Sequence, residues 1–251
     1  MESVLITGGT SGLGRGIVEA LLARSIPVTV LGRDSSKLEG VRRLGAASRE
    51  GDATDRGTMD RAVAETKPTT LILNAGATPI MGGLDELSWE SFGRVWDNDV
   101  KATLHGIQAA IAAPMAKGSR VIVMSSGAAL IGAPLSGSYA GAKWMIRLMA
   151  RDANAIAESR GLAVRFHALL PMQLMADTHM GHTVAAEYAR RRGISVEAHV
   201  KERYGTSMNA RMFGERIVAW LSGPPVSGVS FGVGEGGVQP MEEPSIPRRV
   251  S

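Results

Sequence analysis

The chain has 251 residues, 44% of them hydrophobic and 21% charged, which is enough apolar mass for one large α/β core. It contains no cysteine, which excludes disulfides, thiolate metal sites and cysteine nucleophiles. The net charge of +4 is compatible with a nucleic-acid partner. However, the basic residues are dispersed, and their one dense run at 190–192 fits a solvated helix face, so we expect no such partner.

Short apolar runs, typical of parallel strands covered on both faces, alternate along the chain with segments of helix length. We predict strands at 3–7, 27–32, 70–74, 120–125, 164–170 and 228–233, with a weaker one at 46–50, and helices at 13–24, 55–66, 100–115, 138–159 and 208–221. This order predicts an α/β fold with a Rossmann-like, doubly wound parallel sheet of about seven strands, in a single domain covering 1–251.

A glycine-rich turn joins the first predicted strand to the first helix. Its sequence is Thr7-Gly8-Gly9-Thr10-Ser11-Gly12-Leu13-Gly14. Glycines in such a turn let the backbone approach a diphosphate, and the helix N-terminus presents free N–H groups to it. The spacing Gly-x-x-x-Gly-x-Gly differs from the Gly-x-Gly-x-x-Gly fingerprint, so this mechanism applies by analogy. A tight turn without a ligand is the alternative.

The tip of the second predicted strand carries an arginine where many dinucleotide folds carry an acidic residue. Gly32 ends the strand and Arg33 follows it. An acidic residue there would bind a ribose 2′-hydroxyl, whereas an arginine accommodates a 2′-phosphate. The sequence therefore favours NADP(H), with a solvated loop arginine as the alternative. We expect the next residue, Asp34, to cap the following helix.

A tyrosine and a lysine four residues apart, Tyr139 and Lys143, share one face of the fourth predicted helix. Ser126 follows the preceding apolar strand and could reach the same place. Alone, the tyrosine–lysine pair is a weak motif, because helices often carry such pairs for packing or solubility.

With these parts together, the chain resembles the short-chain dehydrogenase/reductase family over nearly its whole length. The quoted elements are Thr7-Gly8-x-x-x-Gly12-x-Gly14, Asp52, Asn74-Ala75-Gly76, Ser126, Tyr139-x-x-x-Lys143, Pro171 and Gly236-Gly237. The resemblance implies cofactor contacts from Gly8, Thr10, Ser11, Gly12, Leu13, Gly14 and Arg33, from Asp52 and Ala53 at the adenine, from Asn74, Ala75 and Gly76 beneath the cofactor, and from Tyr139, Lys143, Pro171, Met172 and Leu174 near the nicotinamide.

The resemblance also implies a mechanism. Tyr139 exchanges a proton with the substrate oxygen, Lys143 stabilises the phenolate and holds ribose hydroxyls, and Ser126 donates a hydrogen bond. The family usually has an asparagine that holds a relay water, and Asp99 occupies that position here, with Asn98 before it as the alternative register. Two further departures are Met172 after Pro171, and a displaced threonine: Ala176 occupies the position where it is expected, and Thr178 lies two residues further on.

Segment 172–206 is expected to form a substrate-binding loop or lid, whose methionines favour a bulky, partly apolar substrate. Within it, His179 and His182 are expected to be solvated rather than to bind a metal, and no metal site is predicted. The tail at 240–251 is expected to be irregular. Family members usually pair through the helices at 100–115 and 138–159, so we expect a homo-oligomer, a tetramer or a dimer.

These observations predict NADPH-dependent reduction of a carbonyl on a small molecule, reversible as alcohol oxidation. The alternative from a different class is a cofactor-binding regulatory or scaffold protein with little turnover. No signal peptide or membrane span is expected, which favours a cytoplasmic protein with no membrane partner.

Overall fold

The computed structural model describes residues 3–113, 115–205, 208–224 and 226–243. Within them one sheet has the strand order β3-β2-β1-β4-β5-β6-β7-β8, parallel throughout except for the antiparallel pair β7–β8. The strands are β1 (Val4–Thr7), β2 (Val28–Gly32), β3 (Ala47–Glu50), β4 (Thr70–Leu73), β5 (Arg120–Met124), β6 (Arg165–Pro171), β7 (Ser230–Gly234) and β8 (Gly237–Pro240).

Helices cover both faces of this sheet. They are α1 (Gly12–Leu22), α2 (Ser35–Arg42), α3 (Arg56–Thr66), α4 (Trp89–Val95), α5 (Lys101–Ala112), α6 (Ala128–Ile131), α7 (Gly137–Ser159), α8 (His179–Arg192), α9 (Val196–Tyr204) and α10 (Ala210–Ser222), with a π-helical turn at Trp96–Val100. The predicted Rossmann-like α/β fold is confirmed.

The core has two apolar layers because the strands are buried on both faces. Ile6, from β1, packs on one face with Ile17 of α1 and Phe213 of α10. Leu5, its neighbour in the strand, points to the other face and packs with Ile146 of α7. The chain winds outward from β1 to β3 on one side and from β4 onward on the other. Ligands of such sheets bind where the order reverses, beyond the carboxyl ends of β1 and β4.

The sheet has eight strands rather than about seven, because β8 returns antiparallel to β7. The two strands are joined at Gly234 and Gly237, and Gly237 has a φ of 100° that favours glycine. The strand is short and ends in Pro240, so its sequence lacks a strand pattern. Of the tail predicted at 240–251, Pro240 belongs to this strand, and 244–251 lie outside the described residues.

The segment at 172–206, predicted as a substrate-binding loop or lid, contains two helices, α8 and α9, among its described residues. Thr178 caps the first by accepting a hydrogen bond from the Gly181 N–H, and Ser195 caps the second through the Ala198 N–H. Gly193 ends α8 in the left-handed conformation. Both helices carry many polar residues, so apolar periodicity did not reveal them. Within the described ranges, no helix is long and apolar enough to cross a membrane.

Candidate active site

A cleft of about 960 Å³ opens at the carboxyl ends of the parallel strands. It is lined by every predicted site residue except Gly14. These are Gly8, Thr10, Ser11, Gly12, Leu13, Arg33, Asp52, Ala53, Asn74, Ala75, Gly76, Asp99, Ser126, Tyr139, Lys143, Pro171, Met172 and Leu174. The structure thus brings the two predicted ends of the site, the glycine-rich turn and the Ser-Tyr-Lys set, into one continuous space.

The glycine-rich turn after β1 is packed too tightly for side chains at two positions. Gly8 has a φ of 70°, and a Cβ there would lie 2.8 Å from Ala75 Cα. A Cβ on Gly14 would lie 2.2 Å from the Gly8 carbonyl oxygen. Gly14 therefore serves the packing of α1 against the turn, behind the cleft wall, rather than lining the cleft.

The N-terminus of α1 faces the cleft without a side-chain cap. Ser11 has an extended backbone, and its hydroxyl makes no capping hydrogen bond. The first-turn N–H groups of a helix have no partner within the helix, and its dipole favours an anion there. An uncapped helix start beside a glycine turn fits a diphosphate, which is the group that a dinucleotide would place there.

The residues at the end of β4 hydrogen-bond to the glycine-rich turn. Thr7 Oγ1 accepts hydrogen bonds from the Asn74 and Ala75 N–H groups, each at 3.1 Å. Asn74 Nδ2 donates to the Gly8 carbonyl oxygen at 3.0 Å. The Asn74-Ala75-Gly76 segment therefore fixes the backbone of the glycine turn.

Arg33 extends from the tip of β2 into the cleft with 64% of its side chain exposed, and its guanidinium lies 3.7 Å from Asp52. Burial tends to raise the pKa of Asp52, but hydrogen bonds from Thr54 and the charge of Arg33 outweigh it and lower that pKa. Asp34 caps α2 by accepting from the Ser36 and Lys37 N–H groups, as predicted. Gly32 carries no side chain, so Arg33 is the first charged side chain after the strand.

Ser126, Tyr139 and Lys143 reach the cleft from two elements. Ser126 lies just beyond β5, and its hydroxyl accepts from the Ala128 N–H at 3.2 Å. Tyr139 and Lys143 occupy the first two turns of α7, with Lys143 Nζ 5.4 Å from the centre of the tyrosine ring. Ser125 ties the elements together, since its hydroxyl donates to the Lys143 carbonyl oxygen at 2.7 Å.

Asp99, and not Asn98, points at the lysine. Asp99 is fully buried, and its Oδ2 lies 2.9 Å from Lys143 Nζ. Its Oδ1 accepts from the Ala77 N–H at 2.7 Å. Asn98 instead donates to the Arg94 carbonyl oxygen. A π-helical turn at Trp96–Val100, of a kind frequent at functional sites, gives Asp99 this inward direction.

Lys143 is therefore held as a buried cation. Burial alone would lower the pKa of its ammonium, but the Asp99 carboxylate, with a smaller contribution from Tyr139, raises it above the ordinary value. Nζ also donates to the Met124 carbonyl oxygen at 3.1 Å. The negative charge of Asp99 thus offsets part of the positive charge with which Lys143 would stabilise the Tyr139 phenolate.

The segment after β6 closes another side of the cleft. The Pro171 carbonyl oxygen accepts from the Gly127 N–H, and the Met172 N–H donates to the Val233 carbonyl oxygen, each at 2.9 Å. Further along, Thr178 begins α8 beside the glycine turn. A Cβ on Gly12 would lie 3.7 Å from the Thr178 Cβ. Thr178, two residues beyond the position where the threonine was expected, therefore lies at the cleft.

Helices α8 and α9 add a wall to the cleft that the sequence analysis did not identify. Its members, called the α8–α9 wall below, are Tyr188, Arg192, His199, Arg203 and Tyr204. The interpretation of the 190–192 run as a solvated face fits Arg190 and Arg191, which pair with Glu187, but Arg192 lines the cleft. Because eleven positions separate the two arginines of the wall, no local pattern links them.

The family model for short chain dehydrogenases matches residues 2–190 of this chain. The chain belongs to the short-chain dehydrogenase family. Members of this family are oxidoreductases that use a nicotinamide cofactor.

Curated relatives of this family member include two diol dehydrogenases. The cis-2,3-dihydrobiphenyl-2,3-diol dehydrogenase of Paraburkholderia xenovorans (strain LB400) is 34% identical over 166 residues, which cover 60% of this chain and 59% of that protein. The chain thus matches less than two thirds of that relative's length. The L-2,3-butanediol dehydrogenase of Corynebacterium glutamicum is 26% identical over 219 residues, covering 81% of this chain and 83% of that protein.

Solved structures with the same fold include an actinorhodin polyketide ketoreductase with NADPH. It matches with a TM-score of 0.77 and 22% identity, covering 94% of this chain and 96% of that one. Levodione reductase matches with a TM-score of 0.76 and 19% identity, covering 88% and 90%. At these identities the likeness shows a shared fold.

Proposed function

We propose that this short-chain dehydrogenase reduces a ketone on a bulky, partly apolar small molecule with NADPH, and oxidises the corresponding alcohol in reverse. The observation that carries the proposal is the single cleft that joins an uncapped glycine-rich turn to Ser126, Tyr139 and Lys143. The actinorhodin polyketide ketoreductase, a protein of the same fold solved with NADPH, agrees with it.

The preference for NADPH rests on Arg33. In the proposed complex, Gly8, Thr10, Ser11, Gly12 and Leu13 hold the diphosphate, and Arg33 meets the 2′-phosphate with a charge-assisted hydrogen bond. The Arg33–Asp52 distance of 3.7 Å at an exposed site indicates a weak pair that a phosphate can displace. Asp52 and Ala53 then border the adenine.

The acid/base chemistry belongs to the residues of α7 and β5. NADPH, when bound, would supply the hydride. Tyr139 donates its hydroxyl proton to the substrate oxygen, and Ser126 donates a hydrogen bond to the same oxygen as negative charge develops there. Lys143 stabilises the resulting phenolate and binds ribose hydroxyls, while Asp99 holds the lysine in place. Pro171, Met172 and Leu174 border the nicotinamide.

An alcohol is the second candidate substrate, because two relatives of this chain are diol dehydrogenases. The arrangement of Ser126 and Tyr139 serves both directions, so the direction follows from the cofactor ratio in the cell. A regulatory protein without turnover is the remaining candidate, favoured by Asp99 in the relay position and by Met172 after Pro171. Cytoplasmic location stays a prediction.

The decisive experiment follows the absorbance of the reduced cofactor with a panel of aryl ketones, separately with NADPH and NADH. We expect turnover with NADPH and a much higher KM for NADH. Turnover only with NADH would contradict the cofactor proposal. Absence of turnover with every ketone, and with the matching alcohols and NADP⁺, would favour the regulatory candidate.

We also propose that the 172–206 segment, with its two helices, covers bound substrate, and that the protein is a homo-oligomer, a tetramer or a dimer. Leu104 on α5 and Ile156 on α7 are about 40% exposed, as expected for helices that meet a second copy. Light scattering at micromolar concentration should give a multiple of the 26.4 kDa chain mass. A monomeric mass would overturn the proposal.

A further inference from the structure

The α8–α9 wall has a composition that the proposed reduction of a neutral ketone does not need. Two of its lining residues, Arg192 and Arg203, carry guanidinium groups. The carboxylates among the described lining residues are Asp34, Asp52 and Asp99, which lie beside Lys37, Arg33 and Lys143. None of them belongs to this wall, so its positive charge is not matched from within the cleft.

The two arginines differ in how far they are already paired. Arg192 lies 2.5 Å from Glu202 and 3.3 Å from His199 Nδ1, so its guanidinium is partly engaged. Arg203 forms no ion pair within the described part of the chain, and its guanidinium donates a hydrogen bond to the neighbouring Tyr204 hydroxyl, which carries no charge to match it. Outside the cleft, Arg190 pairs with Glu187. Arg203 is therefore the cation that is available to a ligand.

Three aromatic rings of the wall pack together. The Tyr188 and His199 rings stack with centroids 5.7 Å apart and an interplanar angle of 7°, and Tyr204 meets His199 edge-on. Burial, followed by the charge of Arg192, lowers the pKa of His199, so the ring is neutral at pH 7. The wall thus combines an apolar aromatic face with an unmatched guanidinium.

A hydrogen bond also connects the wall to the part of the cleft that holds Tyr139. The Leu135 N–H donates to Tyr188 Oη at 3.4 Å, and Leu135 lies four residues before Tyr139. Met172, Met180 and Val184 line the same cleft and are apolar. A molecule with an apolar body can therefore contact both ends at once.

We infer that the substrate carries a carboxylate, which Arg203 binds with help from Arg192, at the opposite end of an apolar or aromatic body from the reacting carbon. A guanidinium matches a carboxylate with two parallel hydrogen bonds. One available guanidinium suits the single charge of a carboxylate better than a phosphate dianion. This inference deepens the proposed function and rests on it, since the reacting carbon must lie at Tyr139.

The test compares acids with their neutral amides. The ketones are benzoylpropionate, benzoylbutyrate and benzoylvalerate, each against its primary amide, with saturating NADPH. For at least one chain length we expect the acid to have a KM about 5- to 20-fold lower than the amide, between the values for exposed and enclosed charged pairs. Arg203→Gln should remove that difference by raising KM for the acid, while kcat and the KM of the amide change little.

Arg190→Gln is the matched control, because it makes the same change on α8 outside the cleft and should behave as the wild type. Equal KM values for acid and amide at every chain length, or an acid preference that survives Arg203→Gln, would overturn the inference while leaving the reduction itself intact.

If no ketone is reduced, the proposed function fails, and calorimetry then decides the inference alone. Phenylbutyrate and phenylbutyramide are titrated into the NADP⁺-loaded protein. Tighter binding of the acid in the wild type, lost in Arg203→Gln and kept in Arg190→Gln, supports a carboxylate site. Equal binding of both, or no loss in Arg203→Gln, contradicts it.

Discussion

The glycine-rich turn and the α8–α9 wall line the same cleft, but one is made of backbone and the other of side chains. At the turn, Gly8 and Gly14 are excluded from carrying a Cβ by neighbours at 2.8 and 2.2 Å. At the wall, the groups that face the cleft are rings and guanidinium groups. A backbone-built surface can recognise only what every dinucleotide shares, whereas a side-chain-built surface can differ from one family member to the next.

This contrast predicts that variants at the two ends change different quantities. Changes near the turn and at Arg33 should alter cofactor binding, changes at Tyr139 should alter the chemical step, and changes at the wall should alter substrate choice. The predictions below test that separation, beginning with the largest effect.

Tyr139→Phe should lower turnover by about 100-fold or more, because the proton donor is lost while the ring shape is kept. NADPH affinity should stay close to that of the wild type, since Lys143 and the glycine turn are unchanged. Steady-state rates and a fluorescence titration of NADPH measure the two quantities. Turnover equal to the wild type would show that another group exchanges the proton.

Arg33→Ala should weaken NADPH binding by an amount near the lower end of the ~1.5–3 kcal/mol typical of charged hydrogen bonds, since the side chain is 64% exposed. NADH binding should change little. Arg43→Ala is the matched control, because Arg43 pairs with Glu39 on α2 and does not line the cleft. Equal wild-type affinity for the two cofactors would contradict the role given to Arg33.

Asp99→Asn should move the alkaline rise of alcohol oxidation to lower pH by about one unit. The carboxylate 2.9 Å from Lys143 Nζ neutralises part of the charge that would stabilise the phenolate, and the amide would not. Because the Asp99 carboxylate is the main cause that raises the Lys143 pKa against burial, the variant should also lower the lysine pKa, and the predicted shift applies to the pH range in which the lysine stays protonated.

Asn can still accept from the Ala77 N–H, which should preserve the fold of the variant. Asp97→Asn, on the exposed side of the same π-helical turn, is the control. Superimposable pH profiles for Asp99→Asn and the wild type would show that Asp99 does not couple to the tyrosine.

The parts of the molecule that could be predicted are those with local causes. The parallel strands follow from apolar runs, the turn from glycine spacing, and the Tyr139–Lys143 pair from helical periodicity. The Val100-Lys101 pair after Asp99 predicted that Asp99, rather than Asn98, occupies the relay position. The π-helical turn that directs the Asp99 side chain towards Lys143 has no sequence pattern of its own.

The α8–α9 wall was missed for a physical reason. Its helices are set by the caps Thr178 and Ser195 and by the left-handed Gly193, while most of their residues are polar. Arg192 and Arg203 line the same cleft because α8 and α9 pack against each other. The residues that cap α8 and α9 were the available sequence signal for these helices. A search for apolar periodicity does not detect them, because most of their residues are polar.

The most direct test of the account is a crossed measurement on Arg33→Ala and Tyr139→Phe with one aryl ketone. NADPH affinity is obtained by fluorescence titration, and the single-turnover rate is measured with NADPH at saturation. The account predicts that Arg33→Ala loses affinity and keeps the rate, while Tyr139→Phe keeps affinity and loses the rate. Loss of the same quantity in both variants would contradict a cleft whose cofactor-binding and chemical ends act separately.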